Sequence, residues 1–383
     1  MTSLSAPTDS DAAPRMAAAS EHPLLVPLRF RSGAVAKNRI ALAPLTNSQS
    51  HDDGSLSEEE KRWLVRRAQG GFGIVETCAA FVDPLGKGFP GQLGISNDGQ
   101  IPALAELARE LAEHGALGLV QLVHGGVRAP SRFTGVTPWS ASRFEEDTPD
   151  FEVPRGGSDQ DIELAIEHFV AAAKRAALAG FSGVELHAAH GYLLSQFLSR
   201  TMNQREDAWG GALENRARLL RTILRRVRSE IAAPFIVGVR LSPEDRGHAR
   251  GLDADETATV SRWLADEGVD FIHLSLWDTR NNLQKRPEEH PLTLFRHAVG
   301  DSVPLLAAGA IWNENDARAT LERGADAIAL GKAAILNPDW PRRFNDASFV
   351  PVRGPLTPAD FAELAVSPRF VDYLRRFQGM IAE

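Results

Sequence analysis

An eight-stranded parallel β/α barrel of the TIM type is the fold this sequence predicts, from a repeated unit, a strand count and the spacing of its helices. Five times a charged helical pattern closes on Gly and runs straight into a short apolar stretch: RRAQGGFGIVET (66–77), LAEHGALGLVQL (111–122), AALAGFSGVELH (176–187), LADEGVDFIHLS (264–275) and LERGADAIALG (321–331). In each unit Gly relieves the left-handed position beyond a helix, and the apolar residues then form a buried strand. RIALAP (39–44), FIVGVRL (235–241) and PLLAAGA (304–310) bring the strands to eight. Helical patterns over 57–69, 100–113, 160–179, 212–230, 254–266 and 313–323 lie between them. Strands that are apolar on both faces and alternate with helices pair in parallel. Eight such units close into a barrel; an open α/β sheet with extra units is the alternative.

A chain of 383 residues accommodates that barrel as one domain. With 43% hydrophobic and 24% charged residues it has ordinary globular material for a core. A net charge of −8 argues against a nucleic-acid partner, which calls for a basic excess. The single cysteine, Cys78, rules out an internal disulfide and any Cys cluster for zinc or iron–sulfur. No apolar run reaches the roughly 18–20 residues of a membrane span. The start, MTSLSAPTDSDAAPRMAAASEHP, carries early Asp residues and no apolar core, unlike a secretory signal. The expectations are a disordered leader over 1–23, one barrel domain over 24–383, a cytoplasmic location and no membrane. A Pro/Gly-rich insert over 126–159, containing Trp139, is too long for an ordinary connection and is expected to form a loop subdomain. The stretch 358–381 reads as helical, packing on the barrel or on a neighbouring copy in a homo-oligomer.

Barrels place their chemistry at the C-terminal strand ends. Those ends present Thr46, Thr77 with Cys78, Gln121 with His124, His187 with His190 and Tyr192, Arg240, Ser275 with Trp277, Gly309 and Gly331. The ring is polar without being heavily acidic, and no carboxylate pair or cluster stands at it. In HAAHGY, His187 and His190 can both point into the mouth and donate to one oxygen, stabilising charge that develops on a conjugated carbonyl. Tyr192 beside them can supply a proton. The plainer reading makes one histidine functional and the other a packing residue; a metal needs a third ligand, and none stands out. Gln121 offers both a donor and an acceptor to a planar polar ring, or is simply a satisfied core residue. Arg240 needs an anion or an electron-rich acceptor, or a structural carboxylate such as Asp245. Gly309 and Gly331 let backbone amides approach a phosphate where barrels often hold one, and Lys332 adds a cation.

The stretch GVELHAAHGYLLSQFLSRTMNQREDAWGGALENRARLL (183–220), with NRIALAPLTNS, GLVQLVHGG, VGVRLSPED, AAGAI and ALGK in order around it, resembles the old yellow enzyme family of FMN-dependent NAD(P)H ene-reductases. The resemblance runs from about Pro27 to Pro338. It implies non-covalent FMN, NADPH or NADH as reductant, and a small activated alkene, an α,β-unsaturated carbonyl or nitro compound, as substrate. Reduction would proceed by hydride transfer from flavin N5 and protonation by Tyr192, with His187 and His190 clamping the activating oxygen. Pro44, Leu45 and Thr46 would line the flavin, and Thr77 or Cys78 would lie beside its ring. Gln121 and Arg240 would bind the pyrimidine edge. Ala308 would also contact the cofactor, and Gly309, Gly331 and Lys332 would hold its phosphate. No metal is implied, and relatives with an iron–sulfur cluster are excluded by the single Cys. The chain departs from the pattern in having Asn47 and Ser48 after Thr46, where some branches carry Cys at the Thr46 position and Tyr two residues later. Lys332 stands where Arg is common, keeping the charge and losing the bidentate fork. The other readings are an FMN barrel oxidoreductase of hydroxy-acid oxidase or dihydropyrimidine type, and a flavin-binding module without turnover.

Overall fold

A computed structural model describes residues 22–245 and 251–382; the leader expected over 1–23 lies outside them except for its last two residues. Eight strands form the barrel: β1 (Ile40–Leu42), β2 (Ile74–Glu76), β3 (Leu117–Val123), β4 (Gly183–Ala188), β5 (Ile236–Leu241), β6 (Phe271–Ser275), β7 (Leu305–Ala308) and β8 (Ala327–Leu330). Each pairs in parallel with the next, and β8 pairs with β1 through Ile328↔Ile40, Ala329↔Ala41 and Leu330↔Leu42, which closes the ring. The open-sheet alternative is thereby excluded.

The surrounding helices are α1 (Glu58–Gln69), α2 (Ile101–Glu113), α3 (Asp159–Leu178), α4 (Arg218–Glu230), α5 (Ala254–Asp266), α6 (Pro291–Val299) and α7 (Glu314–Glu322). Side chains that accept first-turn amides start several of them: Ser57 for α1, Ser158 for α3, Asp253 for α5 and Asn313 for α7. The helix expected over 212–230 is two pieces, Leu213–Arg216 and Arg218–Glu230, meeting at Ala217. No helix among the described residues is long and apolar enough to cross a membrane.

Strand residues alternate between two cores. One face packs outward on the helices; the other fills the barrel. At the bottom of the interior, Ile74, Leu119, Ile236, Phe271, Leu306 and Ala327 make an apolar floor, and Leu28 and Phe30 of an N-terminal hairpin seal it from below. Gly238 belongs to this packing: a Cβ there would stand 2.0 Å from the Phe271 ring. Two residues further along β2, β3 and β6, at Glu76, Gln121 and His273, and four further along β5, at Arg240, the same inward face turns polar.

Two segments outside the repeat shape the mouth. The 126–159 insert holds a short parallel pair, Trp139–Ser140 with Arg155–Gly156. The 358–381 segment is not one helix: α8 (Pro358–Glu363) ends before a left-handed Ala365, and Pro368 then opens α9 (Pro368–Leu374), capped by Ser367. It packs on its own barrel. Buried Arg67 of α1 donates to the carbonyls of Trp63, Ala334, Ile335 and Leu364, at 2.7–3.2 Å. Trp63 meets Phe370 edge-on at 5.5 Å.

Candidate active site

The polar interior is built in two tiers. In the lower, Glu76, Glu185 and His273 are fully buried, with potential metal-ligating atoms within 4.8 Å of one another. The Glu185 carboxylate accepts from Gln121 Nε2 at 2.6 Å, and its other oxygen lies 2.7 Å from His273 Nδ1. Burial, reinforced by Glu185, pushes the Glu76 carboxyl well up, so it holds a proton. Glu185 is held below the usual range although burial opposes this, because His273, Arg240 and Gln121 favour its charge. The expectation of no carboxylate pair concerned the mouth; this pair is fully buried, with Glu76 the last residue of β2 and Glu185 inside β4.

The upper tier joins side chains on or just after three strands, β4, β5 and β6. Arg240 is buried; its Nη2 donates to Ser275 Oγ at 3.1 Å, its Nη1 reaches the Pro44 carbonyl at 3.5 Å, and its Nε has no partner. The Glu185 carboxylate supplies the negative field around it. Asp245 is engaged elsewhere, accepting from the Gly251 and Leu252 amides at 2.7 Å each. Ser275 Oγ also lies 2.6 Å from His190 Nε2. The His187 and His190 rings meet edge-on at 4.9 Å, and the Tyr192 ring also lies 4.9 Å from His187. His187 Nδ1 is buried without a partner. His190 itself takes a left-handed φ of 59°, which turns its ring back over the mouth.

Electrostatics keep these imidazoles neutral. Burial, with the cost of a second positive charge beside His190 and Arg240, holds His187 well below its ordinary value. His190 is exposed to solvent, yet the protein packed around its ring, with Arg240 beside it, brings it down to about 3. Burial raises the Tyr192 phenol, so it retains its proton.

The remaining expected residues divide. Thr46 lines the same cavity as Tyr192. Thr77 Oγ1 accepts from the Gln121 amide at 3.3 Å and so sits in the Gln121 tier. The Cys78 thiol is buried against Glu60 of α1, and that burial pushes it up. Leu45 lies beside Gly331, where an added Cβ would meet only Leu45 Cδ2, at 3.5 Å. Ala308 ends β7, and Gly309 follows so close to the Leu276 carbonyl that a Cβ would stand 2.8 Å from it. Lys332 lies 4.8 Å over the Phe377 ring. His124 does not join the ring of functional groups. It packs edge-on to Trp139 at 5.3 Å, accepts from the Gly126 amide at 3.0 Å, and is lowered to about 4 by burial. Trp277 is 72% exposed.

Sequence reasoning missed the rim. A cavity of about 680 Å³ above Thr46 and Tyr192 is lined by Arg128 of the insert and by Arg369, Tyr373 and Arg376 of the C-terminal segment. Their spacing, i, i+4 and i+7 around α9, was the available signal.

The interior fits a flavin. The unpartnered Arg240 Nε and the Gln121 amide suit the nitrogen and oxygen edge of a planar ring, and the open space at Gly331 suits a phosphate. Fold and site together define a flavin-dependent oxidoreductase on a β/α barrel. Residues 23–348 match the model of the NADH:flavin oxidoreductase / NADH oxidase family. The chain belongs to that family, the old yellow enzyme family. It is 38% identical over 326 residues to the probable NADH-dependent flavin oxidoreductase YqiG of Bacillus subtilis, covering 83% of this chain and 86% of that one. It is 35% identical to NADH:fumarate oxidoreductase of Klebsiella pneumoniae across 85% of its own length, but spans only 36% of that longer protein. The old yellow enzyme homologue of Zymomonas mobilis superposes with a TM-score of 0.77 at 30% identity, over 89% of this chain and 99% of that one. The protein is an NAD(P)H-dependent flavin oxidoreductase with FMN as cofactor.

Proposed function

We propose that the enzyme reduces the activated double bonds of small enones and nitroalkenes. The observation that carries this is the His187–His190–Tyr192 group, two neutral imidazoles and a protonated phenol facing one mouth. Bound FMN supplies two-electron transfer from the nicotinamide to the alkene. The protein's part is polarisation and proton delivery. Arg240 donates to Ser275 Oγ, which frees the Ser275 proton for His190 Nε2 and places the His190 N–H on Nδ1. Together with His187 this gives two donors for a carbonyl or nitro oxygen, an arrangement that stabilises the developing negative charge. Tyr192 Oη then gives its proton to the α-carbon. Arg128, 6.0 Å over the phenol ring, favours the phenolate that remains.

The test is anaerobic. The purified yellow protein should bleach with NADPH and recover its colour with cyclohexenone. Tyr192→Phe should slow the recovery by at least about 100-fold, the ordinary worth of a positioned acid, while bleaching proceeds at its normal rate. Colour that no enone or nitroalkene restores would overturn the reading in favour of another flavin chemistry.

A further inference from the structure

We propose that the substrates carry a carboxylate remote from the reacting bond, and that Arg369, Arg376 and Arg128 bind it at the rim of the mouth. This rests on the ene-reduction reading and adds the substrate class to it. Arg369 and Arg376 lie seven residues apart with Tyr373 between them, so they share one face of α9 and its C-terminal extension; that face lines the cavity over Tyr192. Arg128 reaches the same space from the insert and lies over the Tyr192 ring.

The rim is set apart by its charge pairing. The chain has eight more acidic than basic residues, and its other arginines commonly have carboxylate partners, as in Arg221–Glu267, Arg216–Glu256 and Arg205–Asp207. None of the three rim arginines has an ion-pair partner among the described residues. Arg369 is steadied by the Ser50 carbonyl at 3.2 Å, and Arg376 lies 5.2 Å over the Tyr373 ring. Both contacts orient a guanidinium and leave its charge unmatched. Two acids also line the cavity, Asp52 and Asp372. Asp372 is engaged by Arg375 at 3.5 Å, which leaves three guanidinium groups against the Asp52 carboxylate at the cavity wall. The cavity is thus a positive spot on a negative molecule, which concentrates anions there. Guanidinium groups also match the two oxygens of a carboxylate better than ammonium groups do. The pyrophosphate of the nicotinamide cofactor presents the same anionic chemistry at the same mouth, so the experiment must separate the two.

The probes are a cyclohexenone bearing a carboxymethyl side chain and its methyl ester, which share the reacting bond and differ in charge. For the holoenzyme, kcat/KM for the acid should exceed that for the ester by about tenfold or more, and the preference should shrink as salt is raised. In the Arg369→Gln/Arg376→Gln double variant the ratio should fall toward one, and the corresponding double Lys variant should keep part of it. Binding of the saturated keto acid to oxidised enzyme should weaken by a similar factor in the Gln variant. A wild-type ratio of one overturns the proposal. So does a double variant that is slow only in reduction by NADPH with its acid-to-ester ratio intact, since the rim then serves the pyrophosphate. If neither enone restores the flavin colour, the ene-reduction reading fails. The keto-acid titration then decides the rim alone: binding lost in the Gln variant supports it, and no binding by wild type refutes it.

Discussion

Ser275 carries no charge, yet both Arg240 and His190 depend on it. It accepts from one and faces the other at 2.6 Å, linking the lower carboxylates to the mouth. Ser275→Ala is expected to slow recovery of flavin colour by enone on the order of tenfold, since it leaves a buried guanidinium nitrogen unpaired and His190 free to change tautomer. Anaerobic stopped-flow measurement of that step reads it directly, and an unchanged rate removes the relay. His187→Ala should cost about 100-fold in the same step, the usual worth of one oxyanion donor. His187, His190 and Tyr192 were legible because one short motif carries all three. Glu185 and His273 were legible in principle, each two residues before an upper-tier residue and so on the same strand face. The role of Ser275 was not legible, because its two partners come from other strands.

At the scale of elements, the Gly-to-apolar transitions identified five strands and plain apolar runs the other three, since burial on both faces leaves little choice of residue. Pro368 was the readable signal for the start of α9. Arg67 was not readable. In EEEKRWLVRRAQ it resembles any surface charge, and only chain some 270–300 positions later, at Ala334, Ile335 and Leu364, turns it into a buried clamp on four carbonyls. Arg67→Met should destabilise the protein by roughly 3 kcal/mol or more, because several buried acceptors lose their donor at once. Urea unfolding checks this, with exposed Arg62→Met as a control expected to stay within about 0.5 kcal/mol. Equal midpoints for the two variants would show that α8 and α9 are held by other contacts.

For the molecule as a whole, the buried histidines set the acid limit. His124 is lowered to about 4, and His187 and His273 are lowered as well, all chiefly by burial. An unfolded chain takes up protons on these groups near pH 6.5, whereas the native chain refuses them. Stability is therefore full above pH 6.5 and falls as pH drops through the folded values. His124 alone accounts for about 3 kcal/mol by pH 4. Glu76 acts with the opposite sign, binding its proton more tightly when folded, and so offsets part of the loss in acid. The melting temperature should decline steadily from pH 7 to pH 5; a flat profile over that range would mean that these imidazoles are not held neutral.

The hairpin under the barrel has a kinetic consequence. Leu28 and Phe30 close the lower end against an apolar floor, so the polar interior is reached from the mouth. Reductant and oxidant must therefore visit the same chamber one after the other. Initial rates should plot as parallel lines in double-reciprocal form, and an excess of either partner should competitively inhibit the other.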